Sequence, residues 1–177
     1  VRDIITEVQD PAREFVVNAL SGFILEESIV WGDKDGPTPA EPCTVLFFTP
    51  TGSPATDSVD QIGVDSAQLT GIREASIDIR VFAGGDSMAL GYRLEAAANI
   101  DEMTAPATDA GVFIYDTDSP RDLSYVKDGK QRNAAGIAFS IRWNESETFD
   151  RASIESVTIT GNMTSDSGQT YTADIKV

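Results

Sequence analysis

From Ile4 through Val8, Ala12, Phe15, Val16, Ala19, Leu20 and Phe23 the apolar residues return every three or four positions. That is the stripe of an amphipathic helix with one buried face. Asp10-Pro11 falls inside the stripe. Proline is best tolerated at the first helical position, where its missing N–H would be unpaired anyway, so the pair reads as an N-cap and a start. The expected helix runs from about 11 to 21, with the preceding turn separate. Ser28-Ile29-Val30-Trp31-Gly32 then reads as a short strand ended by Gly32-Asp33 and Asp35-Gly36-Pro37. Pro37, Pro39 and Pro42 hold the next segment extended, and Cys43-Thr44-Val45-Leu46-Phe47-Phe48 follows as an apolar run expected of a strand buried on both faces.

Between Thr49 and Thr70 periodicity is lost among Gly, Ser, Thr, Pro and Asp, which predicts a connection of about twenty residues, long for a compact domain. We read it as an arm. Ala75, Ile77, Ile79 and Val81 alternate with polar or outward positions, the period of two of a half-buried strand. Gly84-Gly85-Asp86 breaks it, and Asp86 or Ser87 can cap a helix to about Asn99 whose Leu90, Leu94, Ala97 and Ala98 form one face. After a polar loop, Gly111-Val112-Phe113-Ile114-Tyr115 reads as a strand, and 121–126 as irregular or one helical turn before an Asp128-Gly129 turn. Ile137, Phe139, Ile141 and Trp143 alternate again, as do Val157 with Ile159 and Tyr171 with Ala173 and Ile175. The last two runs make a hairpin across Ser165-Asp166-Ser167-Gly168. The fold class is α+β, a mostly antiparallel β-sheet packed on one face by two α-helices, with a long loop or arm.

A chain of 177 residues with 41% hydrophobic and 24% charged residues has the size and composition of one globular domain. Its 29 Asp and Glu against 13 Lys and Arg give a net charge of −16, which repels phosphate and disfavours specific nucleic-acid binding or docking on an anionic membrane. The absence of histidine removes Ser-His-Asp and Cys-His catalysis, and a lone Cys43 builds neither a disulfide framework nor a thiolate zinc site. No apolar run approaches the ~20 residues of a spanning helix and no leader pattern opens the chain, so it is expected to be soluble and intracellular.

The motif search returns no catalytic signature. The strand, Gly84-Gly85 and helix succession resembles a phosphate-cradling turn, but it lacks G-x-x-x-x-G-K-[ST] and G-x-G-x-x-G, and Asp86 stands where an anion would bind. Acids at Asp33-Asp35, Asp57-Asp60-Asp65, Asp101-Glu102 and Asp116-Asp118 lack calcium-loop spacing and read as solvated. Aromatics such as Trp31, Phe82, Tyr92, Tyr125 and Trp143 read as core or interface anchors. No catalytic, cofactor-binding or metal-ligating residue is assigned.

The run Ala75-Ser76-Ile77-Asp78-Ile79-Arg80-Val81-Phe82-Ala83-Gly84-Gly85-Asp86-Ser87-Met88-Ala89-Leu90, then Val112-Phe113-Ile114-Tyr115, Pro120-Arg121-Asp122-Leu123-Ser124 and Ala134-Ala135-Gly136-Ile137-Ala138-Phe139-Ser140-Ile141-Arg142-Trp143, resembles the tail terminator or neck (tail-completion) family of long-tailed bacteriophages. The likeness runs from the first helix to about Gly161, with Pro-Arg-Asp-Leu-Ser its most distinctive piece. It implies a single domain over 1–177 with an extended loop at about 49–70.

The resemblance further implies a non-enzymatic virion protein that forms a ring, a homohexamer, on the tail tube, ends elongation and joins the tail to the neck connector. The implied partners are further copies of itself, the tail-tube protein and the head-completion or connector protein, with a sheath as an additional candidate. DNA passes through without specific binding, there is no membrane partner and no cofactor, and assembly is in the host cytoplasm. An acidic wall suits such a channel, because like charge keeps phosphates from sticking. Expected interface residues are Pro50, Pro54, Val59 and Ile62 in the arm, and the cations Arg121, Lys127, Lys130 and Arg132, with simple solvation of those charges as the alternative. Another virion subunit, a tail-tube or head-completion protein, and a monomeric small-molecule-binding α+β domain are the competing readings.

Overall fold

In the computed structural model, which describes residues 4–32, 39–63, 66–150, 161–164 and 170–173, the opening apolar stripe forms one helix, α1 (Ile4–Leu20), with Pro11 inside it. Pro11 has no N–H for the carbonyl one turn earlier, a cost of about 3 kcal/mol. Val8, Phe15, Val16 and Leu20 are buried on the same face, and at about 1.5–3 kcal/mol for each such side chain their burial outweighs that cost. The expected start at residue 11 is thereby corrected to Ile4.

A single 3-10 turn at Glu26–Ser28 leads into β1 (Ile29–Trp31), followed by β2 (Cys43–Gly52), β3 (Ser58–Gln61), β4 (Ser66–Phe82), α2 (Ser87–Ala98), α3 (Asp101–Asp109), β5 (Val112–Thr117), β6 (Arg121–Asp122), β7 (Tyr125–Lys127), β8 (Lys130–Arg132), β9 (Ala135–Asp150), β10 (Gly161–Thr164) and β11 (Thr170–Ala173). The chain divides into two compact units, one holding residues up to Asp57 and Gly71 to Glu145, the other Ser58 to Thr70 and the residues from Ser146 onward.

In the first unit the sheet order is β1-β2-β4-β9-β5, with β6 alongside β9. β1 and β2 are parallel, whereas β2 with β4, β5 with β9 and β6 with β9 are antiparallel. The alternation read from sequence fits this sheet: Ala75, Ile77, Ile79 and Val81 of β4, and Ile137, Phe139 and Ile141 of β9, are buried. They form one core with α1, Leu90 and Leu94 of α2, and both tryptophans. Phe15 of α1 meets Phe139 of β9 edge-on, ring centroids 5.5 Å apart. Arg13 ties α1 to the sheet edge: its Nε donates to the Ile29 carbonyl at 2.9 Å and its Nη2 to the Glu26 carbonyl at 2.8 Å.

Three helices cover the sheet rather than the two expected. Residues 101–109, read as a polar loop, form α3, which packs on α1 and β5. Ala107 is its one fully buried residue, so it carries almost no apolar stripe. Asp101 and Glu102 in its first turn suit the positive end of the helix dipole. β2 is also less enclosed than its composition suggests: Cys43, Thr44 and Leu46 are buried, but Val45 and Phe47 are half-buried, and the Arg80 guanidinium covers the Phe47 ring at 4.6 Å.

Much of the 49–70 stretch is strand. β2 continues to Gly52, pairing Pro50 with Ala75, and shifts register between Pro50 and Gly52. In the second unit β3 pairs antiparallel with residues 67–70 of β4, and β10 pairs antiparallel with β11 from Gly161↔Ala173 to Thr164↔Thr170. The expected strand at Val157–Ile159, the turn at 165–168 and Ile175 lie outside the described residues.

Candidate assembly interface

The segment 121–132 is built around Asp128-Gly129. Both residues have positive φ, 52° and 71°, which is the type I′ geometry whose twist matches a two-stranded ribbon. β7 and β8 pair as Tyr125↔Arg132, Val126↔Gln131 and Lys127↔Lys130, and every residue of both strands is exposed. These two strands form a sheet of their own. The irregular or helical reading of 121–126 is therefore corrected: β6 adds to β9, and β7 opens a hairpin.

The four predicted cations separate into two kinds. Arg132 Nη1 lies 2.9 Å from Glu41 Oε1, and Arg121 Nη2 is 3.6 Å from Asp78 Oδ1, so both are tied to their own subunit. Lys127 and Lys130 face each other across the hairpin at its turn. Of the predicted arm residues, Pro50 ends the regular β2 ladder and Pro54 follows β2; both are exposed and belong to the first unit. Val59 in β3 and Ile62 just after it, each 55% exposed, belong to the second. The Ile62 and Gly63 N–H groups both donate to the Ser66 carbonyl at 3.2 Å, closing the turn between β3 and β4.

A carboxylate clamp at the end of the β2–β4 ladder escaped the sequence reading. Arg73 grips Asp57 with two parallel hydrogen bonds, Nη1 to Oδ1 at 2.6 Å and Nη2 to Oδ2 at 2.9 Å, and its Nε donates to Glu145 Oε2 at 2.7 Å. The Arg73 hydrogen bonds hold the Asp57 carboxyl below the usual carboxylate range and push the Arg73 guanidinium higher still. Gly71 gives the clamp its room, since a Cβ there would overlap Asp57 Oδ1. Next to it, Arg142 bonds Glu74 and stacks 4.7 Å over the Tyr115 ring. Arginines spaced along alternating strands were the available signal, but nothing in the spacing names their partners.

Among the described residues are two surface grooves of about 290 Å³ each. One is bordered by the clamp residues Arg73, Glu74 and Glu145 with Trp143. The other brings Glu41 and Asp86 together over Phe23, Pro42 and Leu90. Displaced titrations have structural causes: burial, then the Glu41 carboxylate, push the Cys43 thiol up, which makes it a poor nucleophile, and hydrogen bonds from Ser124 hold Asp122 down. Between α2 and the strands, Ser87 Oγ accepts the Ala83 N–H at 2.9 Å and lies 2.9 and 3.1 Å from the Gly84 and Asn133 carbonyls, so Ser87, not Asp86, makes the side-chain bond at this helix start.

The described surface thus carries an exposed ribbon, grooves, and arginines paired with local acids. The family model for phage neck terminator protein matches residues 7–167. The chain belongs to that family. A search of curated proteins returns no match. The neck terminator is a structural component of the phage tail and neck and works in contact with other tail and head proteins, which places this chain in the virion. In the described part of the neck terminator no helix is long and apolar enough to cross a membrane.

Proposed function

We propose that this neck terminator closes into a homohexameric ring on the last ring of the tail tube, ends tube growth and presents its other face to the head-completion or connector protein, with the genome passing through the centre. The match over residues 7–167 carries this reading. Two properties of the chain support it. A charge of −16 gives a channel wall that does not retain phosphate. Its exposed arm residues, Pro50, Pro54, Val59 and Ile62, and the Arg121–Arg132 segment supply surfaces for the head-to-tail contacts from which closed rings are made. On this reading the protein is not an enzyme, needs no cofactor, meets the tail-tube protein on one side, and is assembled in the host cytoplasm. A sheath contact would belong to a contractile tail.

The test is the mass of the purified chain by light scattering across concentration and at two salt levels, with negative-stain images, alone and with tubes of the cognate tail-tube protein. Six-membered rings, free or at tube ends, are the expected result. Long tubes of this chain alone would make it a tube subunit, and a monomer that ignores tube ends would overturn the ring.

A further inference from the structure

Each arginine in the described part of the chain has a partner: carboxylates for Arg13, Arg73, Arg121, Arg132 and Arg142, an aromatic ring for Arg80, and the Ala19 carbonyl with the Phe23 ring for Arg93. Among the described residues the cations left without a partner are Lys127 and Lys130. They are also directly opposite each other in the β7–β8 register. Like charges in that position destabilise a ladder, in a chain where acids outnumber cations by more than two to one. Beside them Val126 is 73% exposed and Tyr125 48% exposed. A stiff type I′ ribbon thus carries two unneutralised ammonium groups and an unburied apolar pair.

The groove over Phe23, Pro42 and Leu90 has the complementary character. It is lined by the acids Glu41 and Asp86 together with Phe23, Pro42 and Leu90, a mix that suits a lysine whose methylenes lie on apolar surface while its ammonium meets carboxylate. Arg132 at the hairpin root binds Glu41 on the groove rim. Lys130 lies two residues further along β8, about 7 Å of strand, and makes no bond within its own subunit. Donor tip and acceptor groove are different patches of one surface, the requirement for a heterologous contact that repeats around a ring.

Building on the ring reading, we propose that the β7–β8 tip of each subunit docks on a second copy of this chain, with Lys127 and Lys130 meeting Glu41 and Asp86 of its groove. The occupant follows from charge: in the groove Asp86 has no side-chain partner among the described residues and Glu41, bonded to Arg132 through Oε1 alone, keeps its second oxygen, and the lysines are their unpaired positive counterpart.

The test compares wild type, K127E/K130E, D86K and the combined triple variant by sedimentation at low salt and by imaging of tube ends. Reversing two contact charges should weaken association by about tenfold or more. D86K should weaken it less, and the triple variant should recover part of the loss, because the charge at position 86 is then again opposite to that of the tip while Glu41 is unchanged. Unchanged unfolding midpoints would show that the exposed tip was altered without harm to the fold. Wild-type assembly with K127E/K130E would overturn the docking while leaving the ring reading intact, as would loss without rescue in the triple variant. If K127E/K130E instead abolished only retention on duplex DNA, the lysines would serve phosphate and the proposal would fail. A wild type that neither associates nor caps tubes would fail the ring reading itself.

Discussion

Gln9 lies on the buried face of α1 at 1% exposure, and its Oε1 has no hydrogen-bond partner. A buried acceptor that has left water without compensation costs about 1–3 kcal/mol. Methionine is unbranched and similar in length, so Gln9→Met keeps the packing between Val8 and Ala12 and removes the orphan oxygen. The expected gain is about 1–2 kcal/mol after small repacking losses. With a urea slope of ~2 kcal/mol/M, that moves the unfolding midpoint up by about 0.5–1 M. Tryptophan fluorescence is the right probe, because Trp31 and Trp143 are the only tryptophans and flank Phe48, at centroid distances of 6.5 and 6.2 Å. Gln9→Ala is the control: it removes the same oxygen but leaves a cavity, so it should be no more stable than wild type. A midpoint for Gln9→Met equal to or below wild type, at unchanged slope, would refute the claim that this oxygen is a net cost.

Gly91 of α2 packs so closely that a Cβ would sit 3.0 Å from Pro120 Cβ and 3.5 Å from Ala135 Cβ, and neither neighbour can rotate away; against about 1 kcal/mol of helix propensity gained, overpacking of about 1–3 kcal/mol should leave Gly91→Ala less stable by up to about 2 kcal/mol, read from thermal unfolding. Ser87→Ala removes a buried hydroxyl that accepts the Ala83 N–H and reaches the Gly84 and Asn133 carbonyls, and a loss of about 1–3 kcal/mol is expected, with Ser87→Thr closer to wild type than alanine in the same scan. The Asp57 carboxyl is held low by Arg73, so the clamp's contribution is full above the ordinary Asp value near ~3.9 and is lost as pH falls through the lower folded value; in Arg73→Gln a carbon-detected NMR titration should find Asp57 back near its ordinary range.

How much of this was legible depended on whether burial imposed a period. β4 and β9 are legible because Ala75, Ile77, Ile79 and Val81, and Ile137, Phe139 and Ile141, put one face of each strand in the core. α1 was found by its stripe, but Pro11 pulled its expected start inward, since local propensity says nothing of the helix face that the sheet buries. α3 and β3 give no signal for the opposite reason: α3 buries Ala107 alone and β3 is exposed along its length, so backbone hydrogen bonding makes them without an apolar pattern. At the candidate interface, Asp128-Gly129 was correctly seen as a turn. The flanking Tyr125-Val126-Lys127 and Lys130-Gln131-Arg132 are a hairpin pattern that the nearby Pro120 and Asp122 obscured. Composition cannot separate the four cations, and the fold shows that Arg121 and Arg132 lie beside Asp78 and Glu41 of their own chain.

That division of the cations bears on how copies of the chain meet. If positive charge were spread over the surface, subunits carrying sixteen excess negative charges would still attract one another locally at many orientations. Instead, the arginines of the described part are used inside the subunit, which removes local attractions, while the net charge of −16 sets the repulsion between copies over a Debye length of about 8–10 Å. Such a surface suppresses wrong encounters, since like-charge juxtaposition is costly and only a contact with the right partners offsets it. On the docking proposed above, that contact is a two-lysine tip entering a two-carboxylate groove, with Val126 and Tyr125 beside it to bury apolar area. On the proposed ring reading, free subunits should meet slowly, whereas a tube end that gathers several of them supplies the local concentration that repulsion otherwise denies. On that reading, closure at an existing tube end is then favoured over closure in free solution, and the ratio of rings at tube ends to free rings measures that preference.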